Sequence, residues 1–141
     1  MFFTIDPSDG LAIYDQIVRQ VKYAVASDLL RAGDLVPSVR ELARDLAVNP
    51  NTVARAYRDL QASSIIAPLR GTGLEVTPAA FDICRNDRTR LIRERVRGVL
   101  LEARNSRLDL EELSQLVHEE LARLKPLPQV KARRTATTDG C

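Results

Sequence analysis

Residues 37–60, PSVRELARDLAVNPNTVARAYRDL, constrain the fold of this chain more than any other segment. Ser38 is followed three positions later by Glu41, which predicts a capping box at the start of a first helix. Asn49 stands before Pro50, and proline suits the first position of a helix. Apolar residues recur at i, i+3, i+4 and i+7 in both segments, namely Val39, Leu42, Ala43 and Leu46, then Val53, Ala56, Tyr57 and Leu60. The pattern predicts a helix-turn-helix in which each helix has one buried face.

The second helix of this pair carries hydrogen-bonding groups on its unburied side. In a helix-turn-helix the second helix enters the major groove of DNA. Arginine can pair with guanine, and asparagine with adenine, through two hydrogen bonds each. We therefore expect Asn51, Thr52 and Arg55 to contact bases, with a merely solvated helix face as the alternative. Asn49 is predicted to cap the helix, and a DNA contact by its side chain stays open. Arg58 lies further from the helix start and suits a phosphate contact or an intrahelical pair.

Residues 65–77, IIAPLRGTGLEVT, contain two short apolar runs separated by a glycine-containing loop. This predicts a β-hairpin with Arg70 and Gly71 at its tip, where glycine permits a positive φ and a close approach of the backbone. Pro68 lacks a backbone donor, so its strand should be an edge strand. Residues 29–37 are predicted to be a connector. A hairpin after a helix-turn-helix indicates a winged helix, in which the hairpin is the wing.

Two further amphipathic helices are predicted after the wing. The first starts near residue 81 and runs for about twenty residues, with arginines flanking its apolar stripe. The second has Asp109 as its N-cap and ends before Pro126. Because such stripes must be buried against something, we expect a second copy of the chain to cover them. The residues assigned to this dimer contact are Leu91, Val96, Leu100, Leu113, Leu116 and Leu121.

Composition and the absence of several sequence motifs argue against an enzyme, a metalloprotein and a membrane protein. The chain has 141 residues and a net charge of +2, which alone is weak support for a nucleic-acid partner. It contains no Gly-rich phosphate loop and no nucleophile with a plausible base, so we predict neither an enzyme nor a cofactor. His118 is the only histidine, and Cys84 and Cys141 lack metal-ligand spacing, so no metal is expected. No apolar run is long enough to span a membrane, and a cytoplasmic location is expected.

Four motifs follow one another along the chain: IYDQI at 13–17, LVPSVRELA at 35–43, NPNTVARAY at 49–57 and RGTGLEV at 70–76. In order and separation they resemble the motifs of bacterial GntR-type transcription regulators, and of the YtrA-like branch in particular. The chain departs from the pattern after the first helix and before the wing, where the family commonly has glycine and this chain has Ser27, Asp28 and Ser64.

This resemblance implies a role and further contacts. It implies a repressor, often of its own operon and of neighbouring transporter genes. The homodimer expected from the apolar stripes of the last two helices would place two recognition helices about one turn of DNA apart, on a palindromic or near-palindromic operator. A small-molecule effector stays open. It also implies that Arg40 contacts DNA, with an ordinary surface arginine as the alternative. Arg70, together with Gly71, would probe the minor groove or the phosphates, and a simple hairpin turn is the alternative there.

We therefore predict a mainly α fold with a small β-hairpin. A winged helix-turn-helix domain would span residues 1–80, a two-helix dimerisation region residues 81–125, and a disordered tail residues 126–141. The predicted function is sequence-specific binding of double-stranded DNA by a transcription regulator. The rival is a non-catalytic winged helix that binds another protein. An interaction module would more often show apolar anchors on the second helix, and here that side is polar and cationic.

Overall fold

The computed structural model describes residues 3–71 and 73–126. Within these ranges the elements are α1 (Ile13–Ala26), β1 (Leu35–Val36), α2 (Val39–Leu46), α3 (Pro50–Ala62), β2 (Ile66–Leu69), β3 (Gly73–Val76), α4 (Ala80–Asn105) and α5 (Leu110–Arg123). The predicted fold class, mainly α with a small β-hairpin and a winged helix-turn-helix followed by two helices, is confirmed.

The helix-turn-helix forms as its local signals predict. The Oγ of Ser38 accepts a hydrogen bond from the Glu41 N–H at 3.1 Å, and the Oδ1 of Asn49 accepts one from the Asn51 N–H at 2.8 Å. Pro50 is the first residue of α3. Helix α3 packs against both α1 and α2. Its fully or almost fully buried residues are Val53, Ala56, Tyr57 and Leu60, which are the residues that the apolar spacing predicts.

The wing belongs to a three-stranded antiparallel sheet with the order β1-β3-β2. Strand β2 pairs only with β3, so Pro68 lies on an edge strand as predicted. The prediction that residues 29–37 are only a connector is wrong at its end, because β1 adds a strand to the other side of β3, with Val36 opposite Leu74. The reason is backbone pairing, since the Val76 N–H donates to the Asp34 carbonyl at 2.9 Å.

Four helices end in a left-handed residue that is not glycine. The φ angles are 64°, 54°, 62° and 61° at Asp28, Ala47, Ser64 and Arg107. At the end of α3 the Ile65 N–H donates to the Leu60 carbonyl at 3.0 Å, the long bond of a Schellman motif. Two of these residues, Asp28 and Ser64, stand where the family resemblance implies glycine. The backbone at these two positions therefore has the left-handed conformation that glycine favours, although neither residue is glycine.

The segment before α1 is fastened by one buried amide. Gln16 is 5% exposed, and its Nε2 donates to the carbonyls of Asp6 at 2.8 Å and Leu11 at 3.0 Å. Its Oε1 accepts from the Asp6 N–H at 2.9 Å. Because the side chain is hydrogen-bonded at both its nitrogen and its oxygen, its burial carries little penalty. The amide holds the entering chain against the first turns of α1.

The described residues divide into two compact units, one ending at Arg88 and the other beginning at Thr89. The predicted boundary at residue 80 is therefore too early. The physical reason is that the first turns of α4 belong to the first core, in which Cys84 is fully buried and against which the partly buried Phe81 packs. Burial raises the pKa of the Cys84 thiol to about 11, so the thiol stays neutral and packs as a small apolar group.

The second unit contains the rest of α4 and all of α5. Helix α4 has 26 residues, longer than predicted. Asp109 occupies the predicted N-cap of α5, but its side chain makes no capping hydrogen bond. Helix α5 ends at Arg123, before Pro126 as predicted. The predicted disordered tail, 126–141, lies outside the described residues except for Pro126.

Candidate nucleic-acid interface

The side of α3 that faces away from the core is polar and cationic. Asn51, Arg55 and Arg58 are exposed and Thr52 is half-buried. Their position follows from helical geometry, since they alternate with the buried apolar stripe of the same helix. The structure thus brings together on one helix the residues expected to contact bases and the expected phosphate contact.

Arg55 does not extend freely from α3. Its Cζ lies over the ring of Tyr14 on α1, 3.7 Å from the ring centroid, which is a cation–π contact. Tyr14 is half-buried and packs against the core of the first unit. Tyr14 therefore contributes to the core and also supports the side chain of Arg55, a predicted base-reading residue.

Tyr57 anchors α3 from the buried side. It is 2% exposed, and its hydroxyl donates to the Pro37 carbonyl at 2.7 Å. Burial, helped by the nearby charge of Glu41, raises the pKa of Tyr57 well above its ordinary value. The phenol therefore stays protonated and keeps donating. This bond joins α3 to the segment between β1 and α2.

The two remaining helix-turn-helix positions of the prediction are also on the surface. Arg40 is exposed in the first turn of α2. Asn49 is exposed and uses its Oδ1 as the cap of α3, so capping is confirmed while its amide nitrogen remains available to a ligand.

The wing tip is a short loop between Leu69 and Gly73, which face each other across β2 and β3. Arg70 and Gly71 are exposed in this loop. Gly71 has φ +73° and Gly73 has φ +107°, and the second value in particular is one that residues with a Cβ rarely adopt. Arg70 and Gly71 therefore lie at the hairpin tip, where Arg70 is exposed.

The cations of this surface are not neutralised by neighbouring acids. In the described part of the chain none of the following arginines forms an ion pair: Arg40, Arg55, Arg58 and Arg70. This contrasts with Arg19, which pairs with Asp15 at 3.4 Å. Unpaired surface guanidinium groups are the groups that neutralise DNA phosphates and release their counterions.

The structure divides the predicted dimer residues into two sets. Leu91 and Leu113 are 9% and 8% exposed, so they are buried mainly within the chain and have little surface left for a partner, and their assignment to a dimer contact stays a prediction. The others are 43% to 61% exposed and comprise Val96, Leu100, Leu116 and Leu121. For these four exposed residues the dimer contact also stays a prediction.

Sequence reasoning missed two residues that support this surface, Tyr14 and Gln16. Both lie in the IYDQI segment, and that segment was the one available signal. Their roles depend on how α1 packs along α3, which residue spacing within either helix does not reveal.

Other kinds of site find no support in the geometry. Among the residues that the structure describes, no three His, Cys, Asp or Glu side chains come together as a metal site. His118 is exposed on α5. No helix in the described ranges is both long and apolar enough to cross a membrane.

Comparison with known proteins identifies a family model and a curated protein that are similar to this chain. The family model of bacterial regulatory proteins of the gntR family matches residues 13–76. The HTH-type transcriptional repressor YtrA of Bacillus subtilis (strain 168) is 35% identical over 121 residues, which are 86% of this chain and 93% of that protein.

Two solved structures extend the likeness to the fold. A GntR family transcriptional regulator from Listeria monocytogenes superposes with a TM-score of 0.61 at 32% identity, over 79% of this chain and 97% of that one. YtrA from Sulfolobus acidocaldarius, a GntR-family transcription factor, gives 0.54 at 31% identity, over 70% and 99%. Since the likeness covers the helix-turn-helix, the wing and most of the length of these relatives, the chain belongs to the GntR family of DNA-binding, non-enzymatic transcription regulators, in its YtrA-like branch.

Proposed function

We propose that this chain is a homodimeric repressor that binds a two-fold symmetric operator with one α3 helix in each of two successive major grooves. The observation that carries the proposal is the polar side of α3, where Asn51, Thr52 and Arg55 lie together. Among the residues that the structure describes, no acidic side chain pairs with Arg55. Two α3 helices about one helical turn of DNA apart would read two half-sites.

Each predicted contact takes a distinct part in this proposal. Asn51, Thr52 and Arg55 contact base edges, because they lie in the first two turns of α3. Arg58, a turn further along, and Arg40 on α2 bind phosphates.

The remaining contacts lie at the turn and the wing. Asn49 caps α3 and offers its amide nitrogen to the backbone of DNA. Arg70, with Gly71 beside it, contacts the minor groove or its phosphates from the wing tip.

The dimer part of the proposal assigns the second unit, with α4 and α5, to self-association. Val96, Leu100, Leu116 and Leu121 leave apolar surface open to solvent in the single chain. The relative from Bacillus subtilis is named a repressor, and we propose the same sign of regulation here, acting on the chain's own operon and linked transporter genes. An effector, where one exists, would bind at the dimer interface.

The first prediction concerns salt. Fluorescence anisotropy of the full chain with labelled DNA from upstream of its gene should show an affinity that falls steeply as salt rises, because each neutralised phosphate releases condensed counterions. With about three phosphate-binding arginines in each subunit, and so about six in the dimer, the loss between 50 and 200 mM salt should be roughly a thousandfold or more. An affinity that does not change with the salt concentration would contradict DNA binding by this surface.

The second prediction separates base reading from phosphate binding. Arg55→Ala should weaken operator binding by about 1 to 3 kcal/mol and relax the preference at one position of each half-site. Arg70→Ala should weaken binding to operator and unrelated DNA alike. Arg123→Ala, which removes an exposed arginine from α5, is the matched control and should change neither. Equal losses on both DNAs for Arg55→Ala would assign that residue to phosphate.

A further inference from the structure

We propose that Tyr14 is a specificity-determining positioning residue, whose ring holds the Arg55 guanidinium in the orientation that reads a base. The inference rests on the proposed function, because it assumes that Arg55 contacts a base of the DNA. The Arg55 guanidinium lies over the Tyr14 ring, with its Cζ 3.7 Å from the ring centroid. This is far inside the limit of about 6 Å for a cation–π contact.

The contact leaves the recognition groups of Arg55 available. A guanidinium that stacks on a ring uses its face, whereas its hydrogen bonds to guanine use N–H groups that lie in its plane. Arg55 is exposed and makes no ion pair with the described residues. One guanidinium can therefore rest on Tyr14 and donate to a base at the same time.

The contact also lowers the entropic cost of recognition. A free arginine loses much rotamer freedom when it is fixed against a base. Tyr14 has already restricted the Arg55 side chain before DNA arrives, so less freedom is lost on binding. When DNA covers the pair and removes water from it, the attraction between cation and ring increases.

Tyr14 can act as a platform because its own surroundings are fixed. It lies in the first turn of α1 and packs against the core. Two residues later, the buried Gln16 amide holds the carbonyls of Asp6 and Leu11, which fastens the chain entering α1. Helix α1 packs against α3, so the Tyr14 ring and the Arg55 backbone belong to the same packed unit.

The test compares two DNA duplexes with the full chain, by fluorescence anisotropy. One duplex is selected by the wild-type protein from a randomised pool, and the other is a scrambled version of it. Tyr14→Leu should weaken binding to the selected duplex roughly threefold to tenfold and change binding to the scrambled one by less than about twofold. Tyr14→Phe keeps the ring and should bind as wild type. Tyr23→Leu removes another half-buried tyrosine from α1 and is the matched control.

A double-variant cycle makes the result specific to the pair. In an Arg55→Ala background, Tyr14→Leu should have no further effect on either duplex, because there is no guanidinium left to position. Additive losses, equal losses on both duplexes, or wild-type binding by Tyr14→Leu would overturn the inference. A loss in Tyr14→Phe equal to that in Tyr14→Leu would also overturn it, since the hydroxyl would then be responsible. If Arg55→Ala itself leaves the preference unchanged, the base-reading role in the proposed function fails first.

A second measurement does not depend on the stability of the leucine variant. Proton NMR of the full-length wild type should show the Arg55 side-chain methylene resonances shifted upfield by the ring current of Tyr14. The shift should persist in Tyr14→Phe. Unshifted resonances in the wild type would mean that the contact is not populated in solution, which overturns the inference.

Discussion

Ser64 adopts a backbone conformation that costs free energy in a residue with a Cβ atom. Its φ is 62°, and the left-handed region costs an L-residue about 1 to 2 kcal/mol. Nothing in its hydrogen bonding requires the side chain, because its N–H donates to the Gln61 carbonyl and its own carbonyl accepts from the Thr77 hydroxyl. The site therefore carries strain that no side-chain hydrogen bond of Ser64 offsets.

Ser64→Gly should consequently stabilise the protein by about 0.5 to 1 kcal/mol, after the greater chain entropy of glycine in the unfolded state is subtracted. The neighbour Ser63 supplies a matched control, since it is also exposed but has an ordinary φ of −86°. Ser63→Gly should lower the stability. Urea unfolding followed by circular dichroism measures both changes. A Ser64→Gly variant that is less stable than wild type would show that the strain is not relieved.

At the scale of elements, the helices that form the interface could be predicted because their signals are local. Ser38 and Asn49 cap their helices within a few residues, and the apolar stripes lie within each helix. Strand β1 could not be predicted in this way. It has two residues, too few for an alternating pattern, and its partner β3 lies far along the chain.

For a related reason, neither the bounds of α4 nor the role of Tyr14 could be predicted from the sequence. The apolar stripe of α4 predicts a helix, but spacing within a helix does not show that its first turns complete the core of another unit. In the same way, the sequence places Tyr14 in the IYDQI motif and Arg55 on the polar face of a later helix. Only the packing of α1 along α3 brings the two side chains together.

The hydrogen bond between the Tyr57 hydroxyl and the Pro37 carbonyl gives a prediction about the stability of α3. Tyr57→Phe removes the hydroxyl that donates to the Pro37 carbonyl, and should lower the free energy of unfolding by about 1 to 2 kcal/mol at pH 7. Tyr14→Phe is the control, because it keeps the ring and its stability should stay close to that of wild type. Urea unfolding at pH 7 measures both. A Tyr57→Phe variant as stable as wild type would mean that the hydroxyl bond contributes nothing net.

The same variant gives a pH dependence with a definite sign. Burial raises the pKa of Tyr57 in the folded state, whereas the unfolded phenol keeps an ordinary pKa near 10. The protonated phenol is thus favoured by folding, and its contribution is complete below about pH 10 and is lost as the pH rises above that value. The stability gap between wild type and Tyr57→Phe should therefore narrow as the pH rises past about 10. A gap that is constant from pH 7 to pH 11 would contradict this assignment.

At the scale of the whole molecule, charge and apolar surface are distributed unequally. Residues 1–88 carry 10 Lys and Arg against 11 Asp and Glu, so the DNA-binding unit has no net positive charge. Affinity for phosphate must then come from where a few unpaired arginines lie, not from the sum of charges. Exposed apolar side chains are concentrated on α4 and α5, and these two helices make few contacts with each other. Such a surface is typical of association.

The last prediction places the dimer contact on this surface. Leu100→Glu puts a charge where a 43% exposed apolar side chain would meet a second copy, so the full chain should sediment as a monomer. A monomer engages one half-site at a time and loses the effective concentration that a linked second reader provides, so operator binding should weaken by roughly tenfold or more. Leu29→Glu makes the same change at a 55% exposed leucine of the first unit and should leave both properties unchanged. If Leu100→Glu still sediments as a dimer, or if Leu29→Glu becomes the monomer, the interface lies elsewhere on the chain.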